Sequence, residues 1–262
     1  MRNKRMYVSY CLTALLAAVA VLFSAGTASA DMLDLTGVGA SGSINGGFFQ
    51  QIDPKATGSG VIDSFVRIHN NGTVEGYNTD GRPIEFDENT THIFNHSLLI
   101  SAIPTVSIGG TPYRQFMLDI NEKGSDTGRY LSLDKLEIYL LPTGDRTDYS
   151  SFGTDSLTDP DKLVYTMDPD PDKDNWIKLD YKLNGGSGSG DMFAYIPDSL
   201  FTGPNQYVYL YSRFGDNITS DAGFEEWAVL TQESAVPEPS GLLALIIGTV
   251  GLGGFIFRRR MG

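Results

Sequence analysis

A single cysteine, three histidines and no visible basic face set the outer limits on what this chain does. The cysteine, Cys11, lies in an amino-terminal apolar stretch read below as a leader. Once that leader is removed no thiol remains, which excludes disulfides, thiolate metal sites and cysteine nucleophiles together. An exported domain of this kind depends for stability on its core or on bound ions. His92 and His96 are four residues apart, but Thr90–His96 carries no convincing helical pattern and no HExxH, so a zinc-protease site is not expected. There is no G-x-S-x-G elbow either, which removes the usual serine-hydrolase signature. With 19 basic against 32 acidic residues and a net charge of -13, the chain is a poor partner for nucleic acid, whose phosphates need a basic surface. Helical periodicity is nearly absent, and no repeat of the solenoid kind is visible.

Three segments stand out among the 262 residues. The first is residues 1–30. Arg2, Lys4 and Arg5 precede an apolar run from about Val8 to Phe23, and Ala28-Ser29-Ala30 follows. This is the three-part secretory pattern, with Ala28 and Ala30 at the positions a signal peptidase reads. The other reading is a retained membrane helix, but the run is short for a span and the small residues are well placed for cleavage after Ala30.

The second is residues 236–262. Val236-Pro237-Glu238-Pro239-Ser240 precedes Gly241–Phe257, a 17-residue run without charge, and Arg258, Arg259 and Arg260 follow. At about 1.5 Å per residue such a run is just long enough to cross a hydrocarbon core as a helix. The arginines hold their end in the cytoplasm and leave the body outside. Pro237 and Pro239 keep the adjoining backbone extended, open to a processing enzyme. This order of motif, span and arginines resembles the PEP-CTERM sorting signal of Gram-negative bacteria, with Pro237-Glu238-Pro239 as its name-giving motif. The resemblance implies recognition by an exosortase, a membrane-embedded cysteine transpeptidase, and delivery to the cell surface or an exopolysaccharide matrix. Pro237, Glu238 and Pro239 would then be a substrate site rather than a catalytic one. A simple membrane anchor without processing is the alternative.

The third is the body, residues 31–235. Without the six terminal basic residues and Glu238, 13 basic and 31 acidic residues remain, a net charge of -18. Such a surface repels anions and is hospitable to divalent cations. Short runs rich in Ile, Val, Tyr and Phe recur between turn signals, which predicts an all-β, antiparallel β-sandwich or jelly-roll-like domain. Expected strands are Ser43–Gln50, Gly60–His69, Ser97–Ala102, Thr105–Ile108, Tyr113–Ile120, Leu133–Leu140, Lys162–Met167, Trp176–Tyr181, Tyr207–Phe214 and Phe224–Leu230. Gly109-Gly110 reads as a hairpin turn. Phe116–Glu122 and Tyr130–Tyr139 read as the two arms of a hairpin, and Asn184–Gly190 as a flexible loop. The pieces Phe116–Glu122, Tyr130–Tyr139, Tyr207–Phe214 and Gly223–Trp227 are similar to the bodies of PEP-CTERM proteins, a resemblance that implies no activity.

Candidate sites in the body follow from residue chemistry. Asp168, Asp170, Asp172 and Asp174 alternate, as calcium-binding loops require. The EF-hand pattern then fails, because Lys173 stands where its glycine should and Leu179 where its bidentate glutamate should. A solvated acidic turn or a weak calcium site of other geometry are both compatible. Asp119, Asn121, Glu122, Ser125 and Asp126, with Gly124 for a tight backbone, form a second calcium candidate, against an ordinary polar loop. Tyr207, Tyr209 and Tyr211 share one strand face. Burial of Val208 and Leu210 on the opposite face would leave the tyrosines exposed as a sugar-stacking platform. Glu225-Glu226-Trp227 reads either as a sugar-contacting tryptophan beside acids or, preferably, as a core Trp227 with Glu226 in solvent.

The expectation is an exported, non-catalytic surface or matrix protein, with signal peptidase, exosortase, the membrane and exopolysaccharide as its partners and calcium as its only candidate cofactor. A calcium-stabilised carbohydrate-binding module is second and a polysaccharide hydrolase third. Mass spectrometry of the exported chain should find its amino terminus at Asp31; an intact Met1 overturns the leader assignment.

Overall fold

The computed structural model describes residues 32–52, 62–153, 162–170, 173–221 and 223–230. The leader with Ala28 and Ala30, Asp172, and the whole segment 236–262 with its motif, apolar run and arginines lie outside the described residues. Among the described residues no helix is long and apolar enough to cross a membrane.

The chain is mostly β. Its strands are β1 Met32–Asp34, β2 Ser41–Ile44, β3 Gly47–Gln51, β4 Ile62–Ile68, β5 Val74–Tyr77, β6 Leu98–Leu99 and β7 Thr105–Ile108. They continue with β8 Thr111–Asp119, β9 Tyr130–Leu141, β10 Lys162–Thr166, β11 Trp176–Asp180, β12 Met192–Pro197, β13 Tyr207–Phe214 and β14 Glu225–Leu230. One seven-stranded sheet runs β1-β11-β9-β13-β5, with β10 also on β9 and β6 on β13. The other runs β2-β3-β12-β8-β14-β4, with β7 on β8. Among the described residues every strand pair is antiparallel except β1 with β11, which is parallel and corrects the purely antiparallel expectation.

The two sheets share one core. Leu131, Leu133, Leu136, Ile138, Leu140, Val208, Leu210 and Phe214 from the first sheet meet Phe49, Phe65, Phe116, Leu118, Ala194, Ile196 and Trp227 from the second. Trp227 is fully buried and its indole Nε1 donates to Ser212 Oγ at 3.0 Å, so the polar edge of the ring is satisfied across the core.

Turns explain where the expected strands hold and where they break. Gly109 and Gly110 both take positive φ, 58° and 87°, the geometry of a tight hairpin turn, and they join β7 to β8 as expected. Asn45 (φ 44°) and Gly46 (φ 82°) make the same kind of turn. They split the expected strand Ser43–Gln50 into the hairpin β2–β3. In β9 the core residues change parity between Leu133 and Leu136. The register with β13 shifts at the same place, from Arg213 opposite Lys135 to Phe214 opposite Leu133. The extra residue of this bulge is Asp134. Its buried carboxylate accepts from Ser132 Oγ, the Asp216 main chain and Asn217 Nδ2, each at 2.8 Å.

The largest correction concerns β8 and β9. They are not a hairpin, because β8 lies in one sheet and β9 in the other, so residues 120–129 carry the chain across the edge of the core.

Truncation of a fully buried tryptophan removes its transfer energy and leaves a cavity. Trp227→Ala is expected to lower unfolding free energy by about 3–5 kcal/mol in urea titrations followed by circular dichroism. A loss below about 1 kcal/mol would contradict its place in the core.

Candidate functional site

The chain gathers buried acids at one end of the sheets. Strand β8 ends at Asp119, β12 begins just after Asp191, and β14 begins at Glu225. The ladder places Leu118 opposite Met192 and Asp119 opposite Glu226. Antiparallel pairing thus brings the end of one strand beside the starts of its two neighbours.

Asp119 and Asp191 form the first acid pair, each almost wholly buried. Asp191 Oδ2 accepts from the Ile120 main chain at 2.8 Å, and Asp119 Oδ2 accepts from the Gly188 main chain at 2.6 Å. The other oxygen of each has no hydrogen-bond partner among the described residues. The glycine-rich stretch Asn184–Gly190 is therefore not a free loop. Asn184 is buried and donates to the carbonyls of Ile52 and Gly190, both at 2.6 Å, and Gly188 covers Asp119. Burial pushes the Asp119 carboxyl up to about 6, against the pull of that main-chain donor. Burial also holds Asp191 well above the usual carboxylate range.

Glu122 and Glu225 form the second. Ser220 Oγ donates to Glu225 Oε1 at 3.0 Å, and the Asp221 main chain donates to Glu122 Oε2 at 3.0 Å. Glu122 Oε1 and Glu225 Oε2 are buried without a partner among the described residues. Burial, then the neighbouring Asp221 carboxyl, pushes Glu122 up to about 7. Burial, then Glu122, raises Glu225 as well.

Glu226, expected in solvent, is buried instead. Its Oε2 takes Arg67 Nε at 2.8 Å. The Arg67 guanidinium lies over the rings of Phe94 and Phe224, at 3.5 and 4.1 Å from their centroids. Cation, aromatics and carboxylate satisfy one another there. Asp180 is likewise taken by Arg129, with Nε to Oδ1 at 2.6 Å.

The predicted calcium loops fare differently. Of the second, Asp119 and Glu122 turn inward, whereas Asp126 is exposed and reaches Lys182 Nζ at 3.2 Å. Ser125 Oγ accepts from the Gly128 main chain. The loop therefore does not close on itself, and the partner of Glu122 is Glu225, far along the chain. Sequence spacing could not signal this, because it follows from strand order. In the first, Asp168 Oδ1 accepts from the Asn175 main chain at 2.7 Å, an internal turn contact, and burial raises its carboxyl. Among the described residues no three His, Cys, Asp or Glu side chains are grouped as a metal site.

The tyrosine platform is corrected outright. Val208 and Leu210 do face the main core. The tyrosine face, however, is covered: Tyr209 is fully buried, Tyr211 nearly so and Tyr207 half-buried. The segment after β9 folds back over them. Tyr149 stacks on Tyr211 with ring centroids 4.1 Å apart, and Phe152 meets Tyr209 edge to face at 5.2 Å. Tyr209 Oη donates to the Thr143 carbonyl and accepts from the Arg146 main chain. A ring with both faces and its hydroxyl committed offers nothing to a sugar. Trp227 is unavailable for the same reason.

A carboxyl raised by burial stabilises the fold while it stays protonated. Its stability is fully present below its ordinary value, 3.8 for Asp119, and lost as pH rises through about 6. With EDTA present, Asp119→Asn is expected to flatten the decline of unfolding free energy between those pH values, by on the order of 2–3 kcal/mol. A variant with the wild-type slope would show that Asp119 titrates normally. No family model, curated protein or solved structure matches the chain.

Proposed function

We propose that this chain is an exported surface or matrix protein. Its β body, read as a jelly-roll-like sandwich, serves as a non-catalytic structural module, and residues 236–260 act as an exosortase-type sorting signal. The observation that carries the reading is the order of Pro237-Glu238-Pro239, the uncharged run Gly241–Phe257 and Arg258-Arg259-Arg260. An apolar run followed by arginines supports a span with the body outside the cytoplasm. The rigid, extended prolines present the junction to a protease-like enzyme. The leader at residues 1–30 supplies the export that such sorting needs.

Features of the body support the non-catalytic part. The aromatic residues that a sugar-binding module would use, Tyr209, Tyr211 and Trp227, are built into cores. The raised carboxyls of Glu122, Glu225, Asp119 and Asp191 are shut from solvent, where a polysaccharide chain does not reach them. A hydrolase needs its acid pair on an open cleft, so both alternative readings lose their most concrete residues.

Replacing Pro237-Glu238-Pro239 with three alanines is expected to leave a full-length, membrane-bound form in the native host, detected by fractionation and immunoblotting. Normal release of the replaced protein would sink the sorting assignment.

A further inference from the structure

Glu122 follows β8 and Glu225 opens β14, two strands that are hydrogen-bonded neighbours. Their carboxyls lie within hydrogen-bonding reach of each other. One oxygen of each is anchored by a donor, Ser220 Oγ on Glu225 and the Asp221 main chain on Glu122. Among the described residues the two remaining oxygens have no donor, and Glu225 is 0% exposed. Two carboxylates set together out of water repel strongly, so the pair must take up a proton or share a cation, and no Lys or Arg among the described residues forms an ion pair with either. Arg67 is engaged by Glu226. Lys123 is engaged by Asp221, its Nζ 3.4 Å from Oδ2 and its main chain donating to Oδ1 at 3.3 Å. The main chains of the two segments also touch: a Cβ on Gly223 would lie 1.2 Å from the Asn121 carbonyl oxygen. Only glycine lets the connection before β14 seat against residues 121–122.

Paired oxygen donors without nitrogen or sulfur suit a hard cation. Calcium takes roughly six to eight oxygens in a tolerant geometry, whereas magnesium demands a strict octahedron. Two carboxylates flanked by a hydroxyl and a third acid fit calcium better. We infer that Glu122 and Glu225, with Ser220 and Asp221 beside them, form a calcium-binding site that ties the β8–β9 crossing to the β13–β14 connection. Asp221 turns toward Lys123, so the other coordination positions fall to Ser220 Oγ, main-chain carbonyls and water. In a mature chain without thiols, this ion does the work of a disulfide between distant segments. The inference is independent of how the chain is delivered.

The test is thermal unfolding of the full chain in detergent micelles, in EDTA and in millimolar calcium. Calcium about 100-fold above its dissociation constant should raise Tm by about 5–10 °C. Glu225→Gln should abolish that rise while keeping the EDTA Tm at or above wild type, because the amide can donate to Glu122 Oε1. Glu122→Gln should also abolish it, and serves if the first variant does not fold. Asp168→Asn, at the other acidic turn, should retain the full rise. Terbium luminescence of the wild type, competed by calcium, should disappear in the same glutamine variants. No calcium shift in the wild type, an undiminished shift in both glutamine variants, or a shift lost only in Asp168→Asn would overturn the site.

Discussion

The chain must pass from one sheet to the other between Asp119 and Tyr130, and the acidic end of the molecule follows from that crossing. Strand β8 delivers Asp119 and then Glu122 to the edge of the core. Its antiparallel neighbours β12 and β14 deliver Asp191, Glu225 and Glu226 to the same place. Like charges are thereby brought together out of water, where each needs a donor, a cation or a proton. The local structure is a set of answers to that need. Arg67 goes to Glu226, Gly188 to Asp119 and Ser220 to Glu225. Asp134 shows the complete solution, with side-chain and main-chain donors on both of its oxygens.

The first sheet is covered on both faces, which explains why β9 and β13 carry almost no exposed residue. One face meets the second sheet. The other meets a separate aromatic cluster of Tyr77, Tyr139, Phe152, Tyr209 and Tyr211. Burying tyrosines requires partners for their hydroxyls, and acidic residues supply them: Glu85 for Tyr77, Glu137 for Tyr139 and Tyr149, and Glu75 for Tyr211. Part of the negative charge is thus used as internal hydrogen-bond acceptor, beyond its role on a solvated surface.

Much of the strand pattern was legible. Thr105–Ile108 and Tyr207–Phe214 form strands with the expected bounds, and Gly109-Gly110 turns between strands as read. These succeed because alternation and positive-φ turns are local properties. Asn45-Gly46 carries the same turn signal, masked by the apolar residues around it. The short strands β5 and β12 give weak local signals, because Val74–Tyr77 contains Gly76, and Met192–Pro197 follows a glycine-rich stretch. Core placement of Trp227 was legible from its position on a late strand. The burial of Glu226 was not, because Arg67 lies in a strand about 160 residues earlier.

The sequence alone determined that residues 31–235 contain no cysteine and that this stretch is acidic and β-rich. Those are matters of composition, period and residue order. Only the tertiary structure decided which acids meet and which aromatics are covered. Strand order sets Glu225 beside Glu122 across about a hundred residues, and the chain after β9 folds over the tyrosine face. Neither event leaves a trace in local spacing, because a side chain's fate in a sheet depends on what packs against each face.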